Sequence, residues 1–206
     1  MVGPSGSAST ITGIQDGALS LNGSCYVDYY RVTDNTCARN LNLCPDKKLS
    51  VSLWVRTFGE NTKSIIDNGG ERGNSIGFSF SLVGDYHKFE LRFHSPDYTW
   101  GHYVLNDRSL VVENTWVHIT TTLSEENDLD LYIDGVFVVH ITKELRSNNY
   151  NAGSVTQHLV LGTKAGDNNR GDKISVMDID QIQFWFGEKL SAEQVWLNYL
   201  QPFVYL

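Results

Sequence analysis

Three acidic residues at alternate positions are the strongest candidates for catalytic chemistry in this sequence. Glu126, Asp128 and Asp130 occupy every second position of the segment ENDLD, as side chains on one face of a strand do. Two carboxyl groups about 5–5.5 Å apart can serve as the nucleophile and the acid/base of a retaining glycoside hydrolase. A glycan hydrolase is therefore one hypothesis, although the segment is rich in turn residues and no second Glu follows on the same face.

The residues around these acids favour a structural role for them. The run TWVHITTTL before them alternates as a strand does, with Trp116 and His118 on one face. After them, Asp134 and Gly135 separate the alternating runs LDLYI and VFVVHI, and Asp-Gly between two such runs is the strongest local signal of a β-hairpin. We therefore predict that the acids at 125–128 lie at a strand junction and that the chain is not an enzyme.

An aromatic segment is a second candidate for function. The run SPDYTWGHY brings together four aromatic or imidazole side chains: Tyr98, Trp100, His102 and Tyr103. In a loop, these side chains would form a platform for a sugar ring, or anchor a protein partner, since Tyr and Trp are enriched at interface hot spots. The alternative is that they cap one end of a sandwich core.

Composition narrows the class of protein. The chain has 206 residues with 16 Lys and Arg against 24 Asp and Glu, a net charge of −8. An acidic chain without a basic run is unsuited to bind nucleic acid, which requires clustered cations. No apolar stretch approaches the roughly 20 residues of a membrane helix, so we expect no membrane insertion within this segment. Residues 1–10 are rich in Gly and Ser and are interpreted as a flexible lead, which leaves one domain over residues 11–206.

The cysteines favour an extracellular location. Cys37 and Cys44 bracket a short polar loop, and we predict that they form a disulfide that pins this loop. The alternative is three reduced thiols in a cytosolic protein, and Cys25 has no predicted partner. Asn22 begins an Asn-Gly-Ser tripeptide, a candidate glycosylation site.

Alternation with a period of two dominates the chain and predicts an all-β fold. In LSVSLWVR, Leu49, Val51, Leu53 and Val55 fall on one face. Turn signals recur about every 8–12 residues, which is typical of a sandwich. The segment SAEQVWLNYLQ is the one predicted helix, with Ser191 and Gln194 arranged as a capping box.

Four blocks together resemble the laminin-G and pentraxin branch of the concanavalin A-like lectin/glucanase superfamily. They are LSVSLWVRT, TWVHITTTLSEENDLDLYIDGVFV, HLVLGTKAGDNN and MDIDQIQFWFGEKLSAEQVWLNY. The resemblance covers about residues 17–200. It implies a jelly-roll β-sandwich of two antiparallel sheets, one concave and one convex, with one short C-terminal helix. It also implies that Trp116 and His118 belong to the core and its polar edge. The segment TCARNLNLCPDKKLSVSLWV is further similar to modules in the ectodomains of adhesion-type G-protein-coupled receptors.

The resemblance raises the question of calcium. The two-calcium pattern of pentraxins is not matched, because Gly73 and Lys164 stand where it has ligands. A single calcium site of the laminin-G kind is one interpretation of the loop AGDNNRGDK, and a polar surface loop is the other. The candidate oxygen ligands are Asn74, Asp167, Asn169 and Asp172.

These features predict an extracellular, non-enzymatic recognition module that binds a protein or glycan partner and belongs to a larger adhesion receptor or matrix protein. A stand-alone calcium-dependent lectin-like domain is the alternative. Calcium is the only cofactor that the sequence suggests.

Overall fold

The structure is a computed structural model, and thirteen segments of the chain are described here. They are residues 8–23, 27–32, 36–37, 43–58, 64–68, 77–83, 88–94, 99–106, 111–123, 128–141, 144–147, 157–163 and 175–204.

These residues form fourteen strands and one α-helix. The strands are β1 (Ser9–Thr12), β2 (Gly17–Asn22), β3 (Val27–Val32), β4 (Leu49–Thr57), β5 (Ile66–Asp67), β6 (Gly77–Val83), β7 (Lys88–His94), β8 (Thr99–Asn106), β9 (Val117–Leu123), β10 (Leu129–Ile133), β11 (Val136–Ile141), β12 (Glu144–Ser147), β13 (Gln157–Leu161) and β14 (Val176–Phe186). The helix is α1 (Ala192–Val204), and a short 3-10 turn covers Pro45–Lys47.

The strands form two antiparallel sheets of seven strands each. The first has the order β1-β2-β14-β4-β9-β10-β11, and the second has the order β12-β8-β7-β6-β5-β13-β3. Strands distant in sequence are neighbours in both sheets, as in a jelly roll, and the predicted all-β sandwich is confirmed.

The alternation of β4 is confirmed and explains the core. Leu49, Val51, Leu53 and Val55 are buried and join Ile119, Leu131 and other apolar side chains in the main hydrophobic cluster. The side chains between them point to the outer face of the first sheet. That face is also covered, because Ser50, Ser52 and Trp54 are buried as well.

The hairpin of β10 and β11 forms around Asp134 and Gly135, as predicted. Both residues have positive φ, 49° and 77°, which is the backbone that a tight two-residue hairpin turn requires. The pairing contains one β-bulge: Leu131 faces Val139 and Tyr132 faces Phe137, which leaves Val138 as the extra residue. A bulge changes which side chains of a strand point to each face.

The helix α1 begins with the predicted capping box. The Ser191 N–H donates to Gln194 Oε1 at 2.7 Å, and the Gln194 N–H donates to Ser191 Oγ at 3.2 Å. The helix continues past the predicted end at residue 201 and includes the buried Pro202 before it ends at Val204.

Two features of the structure differ from the sequence-based interpretation. Residues 9 and 10, assigned to a flexible lead, belong to β1, where Ser9 pairs with Ser20 and Thr10 with Leu19. Strand β12 was not predicted, and it pairs with β8 at the edge of the second sheet. Residues 1–7 lie outside the described part of the chain.

The predicted disulfide is present. Cys37 and Cys44 are bonded, with 4.5 Å between their Cα atoms. Cys44 is buried and directly precedes the turn that leads into β4. The bridge therefore fixes the entry to the strand at the centre of the first sheet, while Cys25 lies outside the described residues.

Candidate interaction surface

An aromatic cluster holds α1 against the outer face of the first sheet. The Trp54 ring stacks on Tyr199 at a centroid distance of 5.5 Å and meets the edge of Phe203 at 5.9 Å. His118, on the neighbouring strand, lies 5.0 Å from Trp54 and 5.8 Å from Tyr199. One face of the helix is thereby fixed to β4 and β9.

Hydrogen bonds continue the attachment beside this cluster. Ser52 Oγ donates to Asn198 Oδ1 at 2.8 Å, and Asn198 Nδ2 donates to Gln183 Oε1 at 2.7 Å. Ser50 Oγ donates to the Glu188 carbonyl and accepts from the Leu190 N–H. Side chains of the sheet therefore bind both the helix and the segment that precedes it.

His118 is an interior residue, as the sequence predicted. It is only 2% exposed. Burial lowers its pKa from 6.5 to about 4, although a hydrogen bond with Asn198 acts in the opposite direction. A neutral imidazole beneath a helix, without access to solvent, is a packing residue rather than a catalytic base.

The hairpin turn is fastened to the same assembly. The Asp134 carboxylate accepts a hydrogen bond from the His118 N–H at 2.8 Å, and the Asp134 N–H donates to the His118 carbonyl. A Cβ atom on Gly135 would lie 2.7 Å from the Trp196 ring. The turn therefore needs glycine both for its positive φ and for its closeness to α1.

Exposed apolar side chains stand on the hairpin and on the neighbouring helix. Phe137, Val138, Trp196 and Phe203 are between 36% and 51% exposed. We call them the hairpin–helix surface.

The three aromatic members of this surface are supported by ring contacts. Phe137 meets Tyr132 edge-on at 5.6 Å, and Tyr132 packs in a second buried cluster with Leu190 and Val195. Tyr199 touches both Trp196, at 5.5 Å, and Phe203, at 5.8 Å. The exposed rings thus pack on two tyrosines, and exposed apolar patches of this kind are typical of protein interaction sites.

Charged side chains lie at one end of the surface. Asp130 binds Lys189 Nζ and His140 Nδ1, each at 2.6 Å, and His140 Nε2 lies 3.5 Å from Asp128. The Asp130 hydrogen bond raises the pKa of His140. Partial burial alone would raise the pKa of Asp130, but the contacts with Lys189 and His140 outweigh it, so that this pKa lies below its usual value.

The two described members of the alternating acids take part in ion pairs. Asp128 stands directly before β10, at the strand junction that the sequence predicted. Both oxygens of Asp130 are engaged, one by His140 and the other by Lys189. Glu126 lies outside the described residues.

The other predicted site residues are distributed as follows. The four candidate calcium ligands Asn74, Asp167, Asn169 and Asp172 lie outside the described residues, as does Tyr98. Trp100, His102 and Tyr103 belong to strand β8 rather than to a loop, next to β7 and β12. Asn22 ends β2 and is exposed. Within the described segments, no group of three His, Cys, Asp or Glu side chains could hold a metal ion.

A groove opens between the two sheets, beside β2, β13 and β14. This groove of about 320 Å³ is lined mainly by Leu19, Leu159, Leu161, Ile179, Ile182 and Phe184. Asp180 at its rim accepts hydrogen bonds from the Ile14 and Gln181 N–H groups, one on each oxygen. The groove is therefore apolar, and the carboxylate beside it is already satisfied.

Sequence reasoning missed the hairpin–helix surface, although a signal for it exists. The run VFVVHI contains four successive apolar residues in a strand that follows a tight turn. A strand with one solvated face should alternate apolar with polar residues. Alternation fails after Gly135, and Trp196 and Phe203 lie seven positions apart on a helix. Both signals indicate apolar side chains that are not needed in the core.

The matched family and the fold agree. Residues 29–195 match the family model Laminin_G_3, described as concanavalin A-like lectin/glucanases superfamily. The chain belongs to this family.

The similar proteins are receptors and toxin binding domains. Over 179 residues the chain is 28% identical to the adhesion G-protein coupled receptor D1 of Bos taurus; the match covers 79% of this chain and 18% of the receptor. The binding domain of botulinum neurotoxin DC, solved in complex with rat synaptotagmin II, has a TM-score of 0.62 at 15% identity and covers 97% of this chain and 46% of that domain. The binding domain of Paraclostridial Mosquitocidal Protein 1 has a TM-score of 0.63 at 15% identity, over 95% of this chain and 46% of that one. These structural similarities concern the fold alone.

Among the described residues, no helix has the length and apolar character needed to cross a membrane.

Proposed function

We propose that this domain is an extracellular, non-enzymatic recognition module of a larger cell-surface receptor and that it binds a protein partner through the hairpin–helix surface. The observation that carries the proposal is the exposure of Phe137 and Trp196, whose rings pack on Tyr132 and Tyr199. Aromatic side chains fixed in this way lose little conformational freedom on binding and are enriched among interface hot spots.

The chemistry of the surface favours a protein over a glycan. Phe137 and Val138 are adjacent apolar members of this surface, and valine offers a sugar neither a stacking face nor a hydrogen bond. Protein interfaces have an apolar centre and a polar rim, and here the charged residues Asp128, Asp130, His140 and Lys189 stand at one end.

Two observations support a cell-surface context. The disulfide between Cys37 and Cys44 is a bond that persists in oxidising compartments. The similarity to an adhesion receptor extends over 79% of this chain, which is the size of one module within that longer protein.

The engagement of the described acidic and imidazole side chains supports a non-catalytic role. Both oxygens of Asp130 are occupied by Lys189 and His140, and the buried His118 has a pKa of about 4. Within the described residues, the acid and base candidates of the sequence are thus used for structure.

The test is a binding screen of the tetramerised domain against a library of extracellular domains. The wild type is compared with the double variant Phe137→Ser/Trp196→Ser, which removes two exposed anchors without changing the net charge. Val112→Ser is the matched control, because Val112 is 59% exposed and lies outside the surface. We expect a protein partner that the wild type and the control bind and that the double variant binds at least about tenfold more weakly.

A partner that binds the double variant as tightly as the wild type would overturn the proposed surface. A glycan array in calcium and in EDTA tests the lectin alternative. Glycan binding that EDTA abolishes would support the calcium-dependent lectin and direct attention to Asp167 and Asp172.

A further inference from the structure

The charges around the hairpin–helix surface have one predominant sign. Asp128 and Asp130 stand at the start of β10, beside the end of β11, and Glu188 and Glu193 stand shortly before and within the first turn of α1. Lys189, which binds Asp130, is the basic residue beside these four acids. These five residues, the rim of the surface, carry 1 − 4 = −3 with His140 neutral, within a chain of net charge −8.

The position of Glu193 gives this charge a direct route to a ligand. It lies in the first turn of α1, three residues before Trp196, and it is exposed. Residues three apart on a helix are neighbours on its surface. A cation that approaches Glu193 would therefore stand beside the Trp196 ring, where the carboxylate and the ring face both attract it.

The bulge in β11 determines how a ligand can be held. An edge strand can accept a further strand through its backbone, but Val138 interrupts the regular register of β11. The same bulge brings Phe137 opposite Tyr132, and the two rings are in contact. Side-chain docking against the sheet and helix is thus favoured over strand addition.

We propose that the segment docking on the hairpin–helix surface is a basic, amphipathic segment of another protein. This inference rests on the proposed function and names the chemistry of its partner. Apolar side chains of the segment pack beside Phe137 and Trp196, and its Lys or Arg side chains lie near Glu193 and Glu188. A second copy of this chain fits less well, because it would bring another rim of −3 against the first.

The probe is a synthetic amphipathic peptide with Leu and Phe on one face and Lys on the other, and its matched partner carries Glu in place of every Lys. Binding is measured by calorimetry at low and physiological salt. We expect the Lys peptide to bind at least about tenfold more tightly than the Glu peptide at low salt, with a smaller ratio at higher salt. Amide shifts in NMR spectra should change at residues 136–140 and 193–197.

Two single variants separate local from overall charge. Glu193→Lys and Glu113→Lys alter the net charge equally, but only Glu193 adjoins the surface, and both are exposed. We expect Glu193→Lys to weaken binding of the Lys peptide by about three- to tenfold and Glu113→Lys by less than about twofold. Equal effects of the two variants would show attraction to the net charge alone and would overturn the proposal.

The remaining outcomes distinguish this proposal from the proposed function. The wild type could bind the Lys and Glu peptides equally, and Phe137→Ser/Trp196→Ser could remove the binding of both. This outcome would support the hairpin–helix surface as a binding site and would overturn the basic character of its partner. If the double variant binds the Lys peptide like the wild type, the surface itself is wrong. Sedimentation that shows a dimer in the wild type and a monomer in the double variant would identify a second copy as the occupant, and the proposal would fall.

Discussion

The two faces of the first sheet are stabilised in different ways, although the same strands supply both. On the inner face, Leu53 and Ile119 are completely buried among other aliphatic side chains. On the outer face, their neighbours Trp54 and His118 are buried too, but beneath a helix and among hydrogen-bonded groups. The inner face is a general apolar core, whereas the outer face is specific to one helix in one orientation.

This difference shows how a binding surface can be made stable without losing its exposed groups. Hydrogen bonds from Ser52 to Asn198 and rings on both sides of Tyr199 set the position of α1. Because the helix is held from below, Trp196 does not need to be buried to remain in place. Directional contacts on the outer face thus allow an apolar group to stay available.

Removal of a large side chain from the inner face should give the largest effect. Leu53→Ala leaves a cavity in a fully buried site, and we expect the free energy of unfolding to fall by about 3–5 kcal/mol. Urea denaturation measures it, with the exposed Val138→Ala as a control expected to change stability by less than about 0.5 kcal/mol. A loss below about 1 kcal/mol for Leu53→Ala would contradict a tightly packed inner face.

The outer face should respond to pH where the inner face does not. The folded-state pKa of His118 is about 4, below the value of about 6.5 in the unfolded chain. The unfolded state therefore binds a proton first as the pH falls, and stability that is present above pH 6.5 is lost progressively down to about pH 4. The loss attributable to this group reaches about 3 kcal/mol.

Denaturation of wild type and His118→Gln between pH 7 and pH 4 measures this contribution, since other titrating groups are common to both. The slope should be shallower in the variant. His140→Gln is a control of opposite sign, because the folded-state pKa of His140 is raised. The contribution of His140 to the stability of the domain is present below pH 6.5 and is lost as the pH rises through the folded-state pKa. Identical slopes for wild type and His118→Gln would show that His118 is not held neutral.

Loss of the α1 side chain that forms hydrogen bonds with the sheet should have an intermediate effect. Asn198→Ala leaves Ser52 and Gln183 without their bonded partner, and we expect a cost of about 2 kcal/mol. Thermal unfolding compares it with Gln201→Ala, an exposed position of the same helix. If the two variants unfold alike, the attachment of the helix depends on its aromatic contacts alone.

The smallest expected effect concerns the start of the helix. Ser191→Ala removes the acceptor for the Gln194 N–H, which should cost about 1 kcal/mol. Ser191→Asp retains an acceptor at this position and should restore most of that stability. Equal stability of the Ala and Asp variants would show that the cap is redundant.

The parts of the fold that the sequence predicted are those with a local physical signal. The alternation from Leu49 to Val55 identifies the face of β4 that meets the core, and Asp134-Gly135 locates the hairpin because few other pairs adopt its backbone. The Ser191 and Gln194 pattern locates the start of α1. In each case the signal lies within a few residues, so tertiary context was not needed.

The features that were missed depend on partners distant in sequence. Ser9 and Thr10 follow a segment rich in Gly and Ser, and they form β1 because β2 is available beside them. Val138 becomes a bulge only through the pairing of β10 with β11, so alternation along β11 could not show that Phe137 would contact Tyr132. The hairpin–helix surface requires α1 to lie beside that hairpin, which residues 191–201 alone do not specify.

The position of β4 also has a consequence for how the domain folds. This strand enters the first sheet directly after the disulfide loop, yet its neighbours are β9 and β14, and β14 is the last strand of the described chain. Pairings between segments so far apart close large loops, which makes folding slow. During synthesis, β4 therefore remains without one of its two neighbours until residues 176–186 have emerged.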